Sequence, residues 1–166
     1  MRTASIALLA LMALAACAPK APKAYDYTDW GFGVTFPHPP KLTDIPASAD
    51  GARQHEFRAE MTEDGHDFTA DVTDGTGTNQ TDAQVLAVAP QAIADSFGGG
   101  LSDERDVSSG AVPGKEIHVN REGESTLVIR LYAANHKLYQ VAAQSEHGVS
   151  DPAAITFLNS FHLLNK

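Results

Sequence analysis

The chain has 166 residues, of which 43% are hydrophobic and 20% charged, so its length and composition suit one globular domain and argue against a disordered chain. Its formal net charge of −9 repels phosphate groups, which disfavours nucleic acid as a partner and favours a basic one. No stretch after residue 17 approaches the roughly 18 apolar residues that span a bilayer. Any contact with a membrane therefore has to come from the N-terminus.

Residues 1–16 have the pattern of an export signal. Arg2 supplies the positive charge at the start, and an apolar run follows over residues 6–14. The sequence Leu14-Ala15-Ala16-Cys17 resembles the lipobox of bacterial lipoproteins, which implies a diacylglyceryl group on Cys17 and cleavage before it. The alternative is ordinary signal cleavage nearby, with the cysteine there by chance. Since Cys17 is the single cysteine, an internal disulfide is excluded.

Residues 17–27 are predicted to be the lipidated cysteine and a flexible tether. The segment 18–24 has two prolines, two lysines and no large apolar side chain, a composition typical of an extended, solvated linker. Ala18, rather than an aspartate, follows the cysteine, as in lipoproteins sorted to the outer membrane. We therefore expect the protein on the periplasmic face of the outer membrane, attached through lipid. The folded domain is predicted to cover residues 28–166.

The first part of the domain reads as β-structure. Residues 31–36 alternate and end at Pro37, which predicts a strand. Residues 55–61 and 66–72 alternate on either side of Asp64-Gly65, a dipeptide preferred in two-residue hairpin turns. This turn sets Met61 opposite Phe68 and Arg58 opposite Asp71.

Two helices are predicted further along the chain. Thr81-Asp82-Ala83-Gln84 fits a capping box, and a helical apolar stripe follows it and ends at Gly98. The second helix begins at Asp151-Pro152, where proline suits the first turn, and runs to about Phe161.

Three more strands lie between the helices, at about 116–120, 126–133 and 137–145. Keeping the apolar residues Leu127, Ile129 and Leu131 on one face with Tyr139 and Val141 needs a turn of odd length near Asn135. The same alternation then sets a largely polar group on the other face, namely Glu116, His118, Arg130, Tyr132 and Gln140.

Short motifs along the chain resemble the PsbP-like family. Those motifs are an opening strand with Asp29, Gly31, Phe32, Val34, Phe36, Pro37 and Pro40, the run Pro113-Gly114-Lys115-Glu116, residues 130–139, and the closing Phe157-Leu158-Asn159-Ser160-Phe161. The resemblance covers most of residues 28–163. It implies an α+β fold, an α/β/α sandwich with an antiparallel sheet of about six strands flanked by helices. Family members include an extrinsic subunit of photosystem II and small exported bacterial proteins, which tend to bind or stabilise partners.

The polar group Glu116, His118, Arg130, Tyr132 and Gln140 is the candidate ligand face. The structural alternative is a cross-strand ion pair between Glu116 and Arg130 under a covering helix. The functional hypothesis is that this face binds a peptide or a small polar ligand.

Other chemistry has less support in the sequence. The seven histidines never pair at the spacing of a metal site, and the acids around Gly75 and Gly77 do not match the twelve-residue calcium loop. No Gly-x-Ser-x-Gly elbow or complete phosphate loop occurs. We therefore predict no catalytic residue, no metal site and no cofactor.

These expectations combine into a functional prediction. The chain is predicted to be a non-enzymatic lipoprotein of the bacterial envelope that binds a protein partner or assists an assembly. The alternatives are a periplasmic module for a small ligand or a metal, and an unrecognised hydrolase.

Overall fold

The computed structural model describes residues 21–51, 54–75 and 79–164. Cys17 and the predicted export segment lie outside the described residues, as does the first part of the tether. Within the described part of the chain, ten strands and two helices form two antiparallel sheets with one helix on each side of the larger sheet. Neither helix in the described ranges is long and apolar enough to cross a membrane.

Seven strands make the larger sheet: β3 (Lys41–Ile45), β4 (His55–Glu63), β5 (His66–Asp74), β6 (Gly100–Ser109), β7 (Val112–Asn120), β8 (Leu127–Ala134) and β9 (Lys137–Ser145). Their order across the sheet is β3-β4-β5-β9-β8-β7-β6, and all neighbours are antiparallel. The smaller sheet contains β1 (Lys23–Tyr27), β2 (Phe32–Phe36) and β10 (His162–Leu163), with β2 in the centre.

The two faces of the larger sheet carry different layers. The face with Phe57, Val72 and Tyr139, here called the inner face, is covered by the smaller sheet and by helix α2 (Pro152–Ser160). The opposite face, here called the α1 face, packs against helix α1 (Asp82–Ser96), chiefly over β7, β8 and β9. Each face has its own apolar core, and alternation along β7 and β8 feeds both of them.

The β4–β5 hairpin forms as predicted. Met61 pairs with Phe68, Phe57 with Val72 and Arg58 with Asp71. Asp64 and Gly65 both have positive φ, 49° and 74°, as a two-residue turn of this type requires. Turn chemistry and hydrophobic alternation therefore select the same register.

Both helices begin where the sequence predicts. The Thr81 side chain accepts a hydrogen bond from the Gln84 backbone, and the Gln84 side chain accepts one from the Thr81 backbone. Asp151 caps α2 through the backbone N–H groups of Ala153 and Ala154.

The predicted PsbP-like arrangement is right in outline, but the structure has more β-sheet than the six-strand sandwich expected. Three strands were not predicted in any form: β3, β6 and β10. A fourth unpredicted strand, β1, lies in residues that were assigned to the flexible tether. Regular structure therefore begins before residue 28, the predicted start of the folded domain. β1 pairs along its whole length with β2, from Lys23 opposite Phe36 to Tyr27 opposite Phe32.

The predicted turn between β8 and β9 is wrong by one residue. Asn135 and His136, with φ of 55° and 60°, form a two-residue turn between the paired residues Ala134 and Lys137. An even turn puts Tyr139 and Val141 on the same face as Tyr132 and Arg130, whereas an odd one was expected. Every side chain of β9 therefore points to the opposite face from the one predicted.

Candidate functional site

A buried carboxylate lies between two arginines on the inner face. Glu116 of β7 is 2% exposed, and its direct partners in the sheet are Arg105 of β6 and Arg130 of β8. Arg130 Nε donates to Glu116 Oε2 at 2.7 Å, and Arg105 Nη2 contacts Glu116 Oε1. The register thus forms a row of three side chains, here called the Glu116 row, and the predicted pair of Glu116 and Arg130 is confirmed.

The electrostatics of this row keep the carboxylate ionised. Burial pushes the pKa of Glu116 upward, but the hydrogen bonds and charges of Arg130 and Arg105 together outweigh it, so that pKa lies below its ordinary value. A general acid or base works best with a pKa near the working pH. The lowered pKa of Glu116 is unfavourable for that role, whereas an ionised Glu116 can hold both guanidinium groups in place.

The row opens to solvent at the sheet edge. The Arg105 side chain is 63% exposed, whereas that of Arg130 is 16% exposed. His118 lies beside them, with Nε2 at 3.6 Å from Glu116 Oε1 and Nδ1 at 3.9 Å from Asp103 Oδ2. A ligand would therefore meet Arg105 and His118 first.

The other two residues of the predicted candidate ligand face, Tyr132 and Gln140, do not join the Glu116 row. Tyr132 is buried and stacks on Phe161, with ring centroids 5.2 Å apart and planes 8° apart. Burial raises the pKa of its hydroxyl, and the nearby Arg130 charge opposes that rise. Gln140 lies on the α1 face, opposite Leu131 and Asp71 in the sheet, because of the even turn before β9. Its assignment to the candidate ligand face was wrong.

A second arginine and carboxylate pair lies on the α1 face, beyond the strands that α1 covers. Arg58 Nε donates to Asp71 Oδ1 at 2.7 Å, and Arg58 Nη2 also contacts Glu56 at 3.1 Å. Burial is the main cause that raises the pKa of Asp71 to about 6, and Glu56 and Glu60 add to the rise against the opposing effect of Arg58. The predicted cross-strand pair is present, and its carboxyl group titrates near neutral pH.

One buried polar cluster was not predicted. Asp151 Oδ2 lies 2.6 Å from Ser145 Oγ and 3.0 Å from His66 Nε2, and its other oxygen accepts from the backbone at the start of α2. The Ser145 hydroxyl is the largest of the effects that hold the pKa of Asp151 far below its ordinary value, followed by the His66 hydrogen bond and the backbone N–H groups. Asp151 thus joins β5, β9 and α2. The capping motif at Asp151-Pro152 signals the helix start, but nothing nearby in sequence points to His66.

A slot of about 510 Å³ lies between the two sheets at one end. Its floor comes from the larger sheet, with Val112, Ala134, Lys137 and Tyr139. Its roof comes from the turn after β1 and from the end of β10, with Trp30, Gly31, Leu163 and Leu164. In the described ranges no group of three or more His, Cys, Asp or Glu side chains comes together as a metal site would require.

Comparisons with known proteins bear on the fold. No family model and no curated protein sequence matches the chain. Among solved structures, the chain is similar to the solution structure of cyanobacterial PsbP (CyanoP) from Synechocystis sp. PCC 6803, with a TM-score of 0.53 and 14% sequence identity. The similarity covers 90% of this chain and 98% of that one. The architecture described above is therefore a PsbP-like fold.

Proposed function

We propose that this protein is a non-enzymatic binding or assembly accessory of the bacterial envelope, attached by lipid on Cys17 to the periplasmic face of the outer membrane. The Glu116 row is its docking site for a protein partner. The single observation that carries this proposal is the position of Arg105, which is bound to a buried carboxylate at one end and 63% exposed at the edge of the sheet.

The row suits recognition because its geometry is fixed before a partner arrives. Glu116 is buried and ionised, so it holds one donor group of each arginine in place and leaves the other donors of the exposed Arg105 available. Preorganised side chains lose little conformational freedom on binding. A partner that presents a carboxylate or backbone carbonyls to Arg105 and His118 would find donors already oriented.

The net charge of −9 also restricts the partner. It repels acidic proteins at long range and attracts basic ones. We therefore expect a partner that is basic overall and presents an acceptor group at the contact. The fold similarity supports the same class of role only by analogy, because one fold can serve many functions.

Crosslinking in intact cells, followed by pull-down from the envelope, tests the docking site. We expect Arg105→Ala to reduce the recovered partner strongly. Lys41→Ala is the matched control, since Lys41 is also an exposed cation of an edge strand that pairs with a carboxylate of the next strand, Glu60 at 2.8 Å. Equal recovery from both variants, with the fold intact by circular dichroism, would contradict the proposal.

The membrane attachment is tested separately. We expect Cys17→Ser to move the protein from the membrane fraction to the soluble envelope fraction, because the thioether lipid cannot form on serine. Retention of the variant in the outer membrane would overturn the proposed lipid anchor, and recovery of the unaltered protein only in the inner membrane would overturn its proposed location.

A further inference from the structure

The slot between the two sheets has a fixed height. The Tyr139 hydroxyl on the floor donates to the Trp30 carbonyl on the roof at 3.2 Å, and the Leu164 backbone N–H donates to the Gly31 carbonyl at 2.9 Å. The first bond ties the larger sheet to the roof, and the second holds the two segments of the roof together. Its volume of about 510 Å³ falls within the range of about 300–1,000 Å³ typical of small-molecule sites.

Two small residues keep the slot open. Gly31 has φ of 82°, and a Cβ there would lie 3.3 Å from the Tyr139 hydroxyl, so a larger residue is disfavoured by both backbone and space. Ala134 lies on the floor next to the turn and contributes only a methyl group. The slot is therefore open because small residues stand at positions 31 and 134.

One wall of the slot is a rigid aromatic platform. Trp30 stacks on Phe57, with centroids 5.4 Å apart and planes 19° apart, and His55 packs edge-on against it at 4.5 Å. Trp30 is thus held from behind while it lines the slot. Phe57 packs on this ring and the Lys137 ammonium lies over it, so a flat apolar ligand would contact Trp30 beside the cation.

The slot has one charged group in its lining. Lys137 places its ammonium 5.3 Å from the centre of the Trp30 ring, and the remaining lining side chains are uncharged. Asp74, opposite Lys137 in the sheet, and Asp82, which accepts from the Asn135 and His136 N–H groups, are close but do not line it. Their negative charge disfavours a second charge on any anion that binds Lys137.

We propose that this slot binds a small organic monoanion with a flat apolar body, such as an aromatic carboxylate. The carboxylate pairs with the Lys137 ammonium, and the ring lies beside Trp30 among the apolar side chains of the slot, namely Val112, Ala134 and Leu163. The proposal is independent of docking at the Glu116 row, since the slot has no residue in common with that row.

Trp30 makes the test direct because it is the only tryptophan of the chain. Phenylacetate is titrated against the protein as isolated from cells, and Trp30 emission is recorded. We expect a saturable change, with phenylacetamide binding about tenfold more weakly because it lacks the charge. Phenethylammonium, with the opposite charge, should bind more weakly still.

Two variants and a control locate the site. Lys137→Gln should weaken phenylacetate binding about tenfold and leave phenylacetamide binding unchanged. Lys115→Gln is the matched control, since Lys115 pairs with Glu104 and Asp106 on the α1 face away from the slot, and it should bind both compounds as the unaltered protein does. Ala134→Leu fills the floor and should abolish binding of both.

The possible outcomes separate clearly. No saturable change up to the solubility limit of phenylacetate would overturn the proposal. So would equal affinity for phenylacetate and phenylacetamide, tighter binding of phenethylammonium, or an equal loss for both compounds in Lys137→Gln. Thermal unfolding of each variant shows that the fold is intact before its affinity is compared.

Discussion

Two buried carboxylates, one on each face of the larger sheet, have pKa values shifted in opposite directions, although burial alone raises both. Glu116 on the inner face contacts two arginines, and its pKa is lowered. Asp71 on the α1 face contacts a single arginine, Arg58, which also contacts Glu56, and its pKa is raised to about 6. The comparison teaches that the nearby arginines and carboxylates, together with the extent of desolvation, decide the charge of a buried acid.

The largest expected effect comes from removal of the buried arginine. Arg130→Met leaves Glu116 with the exposed Arg105 as its one arginine partner, and breaking a buried ion pair typically costs about 3–5 kcal/mol. We expect the free energy of unfolding in urea to fall by about 3 kcal/mol. Combining Arg130→Met with Glu116→Gln should restore part of the loss, because the orphaned charge is gone. A double variant no more stable than Arg130→Met would show that lost packing, rather than charge, is the cause.

The next effect is Glu116→Gln, which keeps the shape of the side chain and removes its charge. Hydrogen bonds to charged groups contribute about 1.5–3 kcal/mol, so we expect a loss of about 2 kcal/mol at neutral pH. The pKa of Glu116 is lowered in the folded protein, so its contribution is present above the ordinary glutamate value and is lost as the pH falls below it. The difference in unfolding free energy between this variant and the unaltered protein should therefore shrink in acid.

Asp71→Asn is expected to have the opposite sign. The folded-state pKa of Asp71 is raised from 3.8 to about 6, so the folded protein binds the proton more tightly than the unfolded chain. Its stability contribution is complete below about pH 4 and is lost as the pH rises through about 6. Asparagine imitates the neutral form, so the variant should be about 1 kcal/mol more stable at pH 7.5, with a smaller pH dependence. Lower stability than the unaltered protein at that pH would contradict the comparison.

The smallest expected change in stability is that of Arg105→Ala. Because Arg105 is 63% exposed, we expect a loss below about 1 kcal/mol. The variant converts Glu116 into a carboxylate with one arginine, as at Asp71, so the pKa of Glu116 should rise. Carbon-detected NMR titration of the glutamate carboxyl groups measures that rise, and an unchanged pKa would show that Arg130 alone controls Glu116.

Sequence alone predicts the fold where several local signals agree. In the β4–β5 hairpin the Asp64-Gly65 turn and the alternation give one register, and the structure has it residue by residue. The β8–β9 turn shows the converse. The turn at Asn135 and His136 was predicted with an odd length, because apolar side chains lie on both faces of β8 and β9 and alternation there does not fix the register. Gln140 was therefore assigned to the wrong face.

Two of the unpredicted strands, β6 and β1, were missed for different physical reasons. β6 has four consecutive charged residues at 103–106 and a bulge after Leu101, so its alternation is not visible in the sequence. β1 pairs with the neighbouring β2 and is also stabilised by contacts with distant parts of the chain, such as that of Tyr27 with Phe57. The candidate site was found in part, because Glu116 and Arg130 lie on adjacent predicted strands. Arg105 was missed together with its strand.

The charged run of β6 also bears on self-association. A free sheet edge invites the same edge of a second copy. If two β6 strands paired antiparallel with their inner faces on the same side, every register centred on residues 104–106 would set Glu104, Arg105 or Asp106 opposite its own copy. Like charges directly opposite are destabilising, and the bulge after Leu101 interrupts the remaining ladder. In these registers, β6, the longest edge strand in the described part of the chain, is therefore a poor template for a continuous intermolecular sheet.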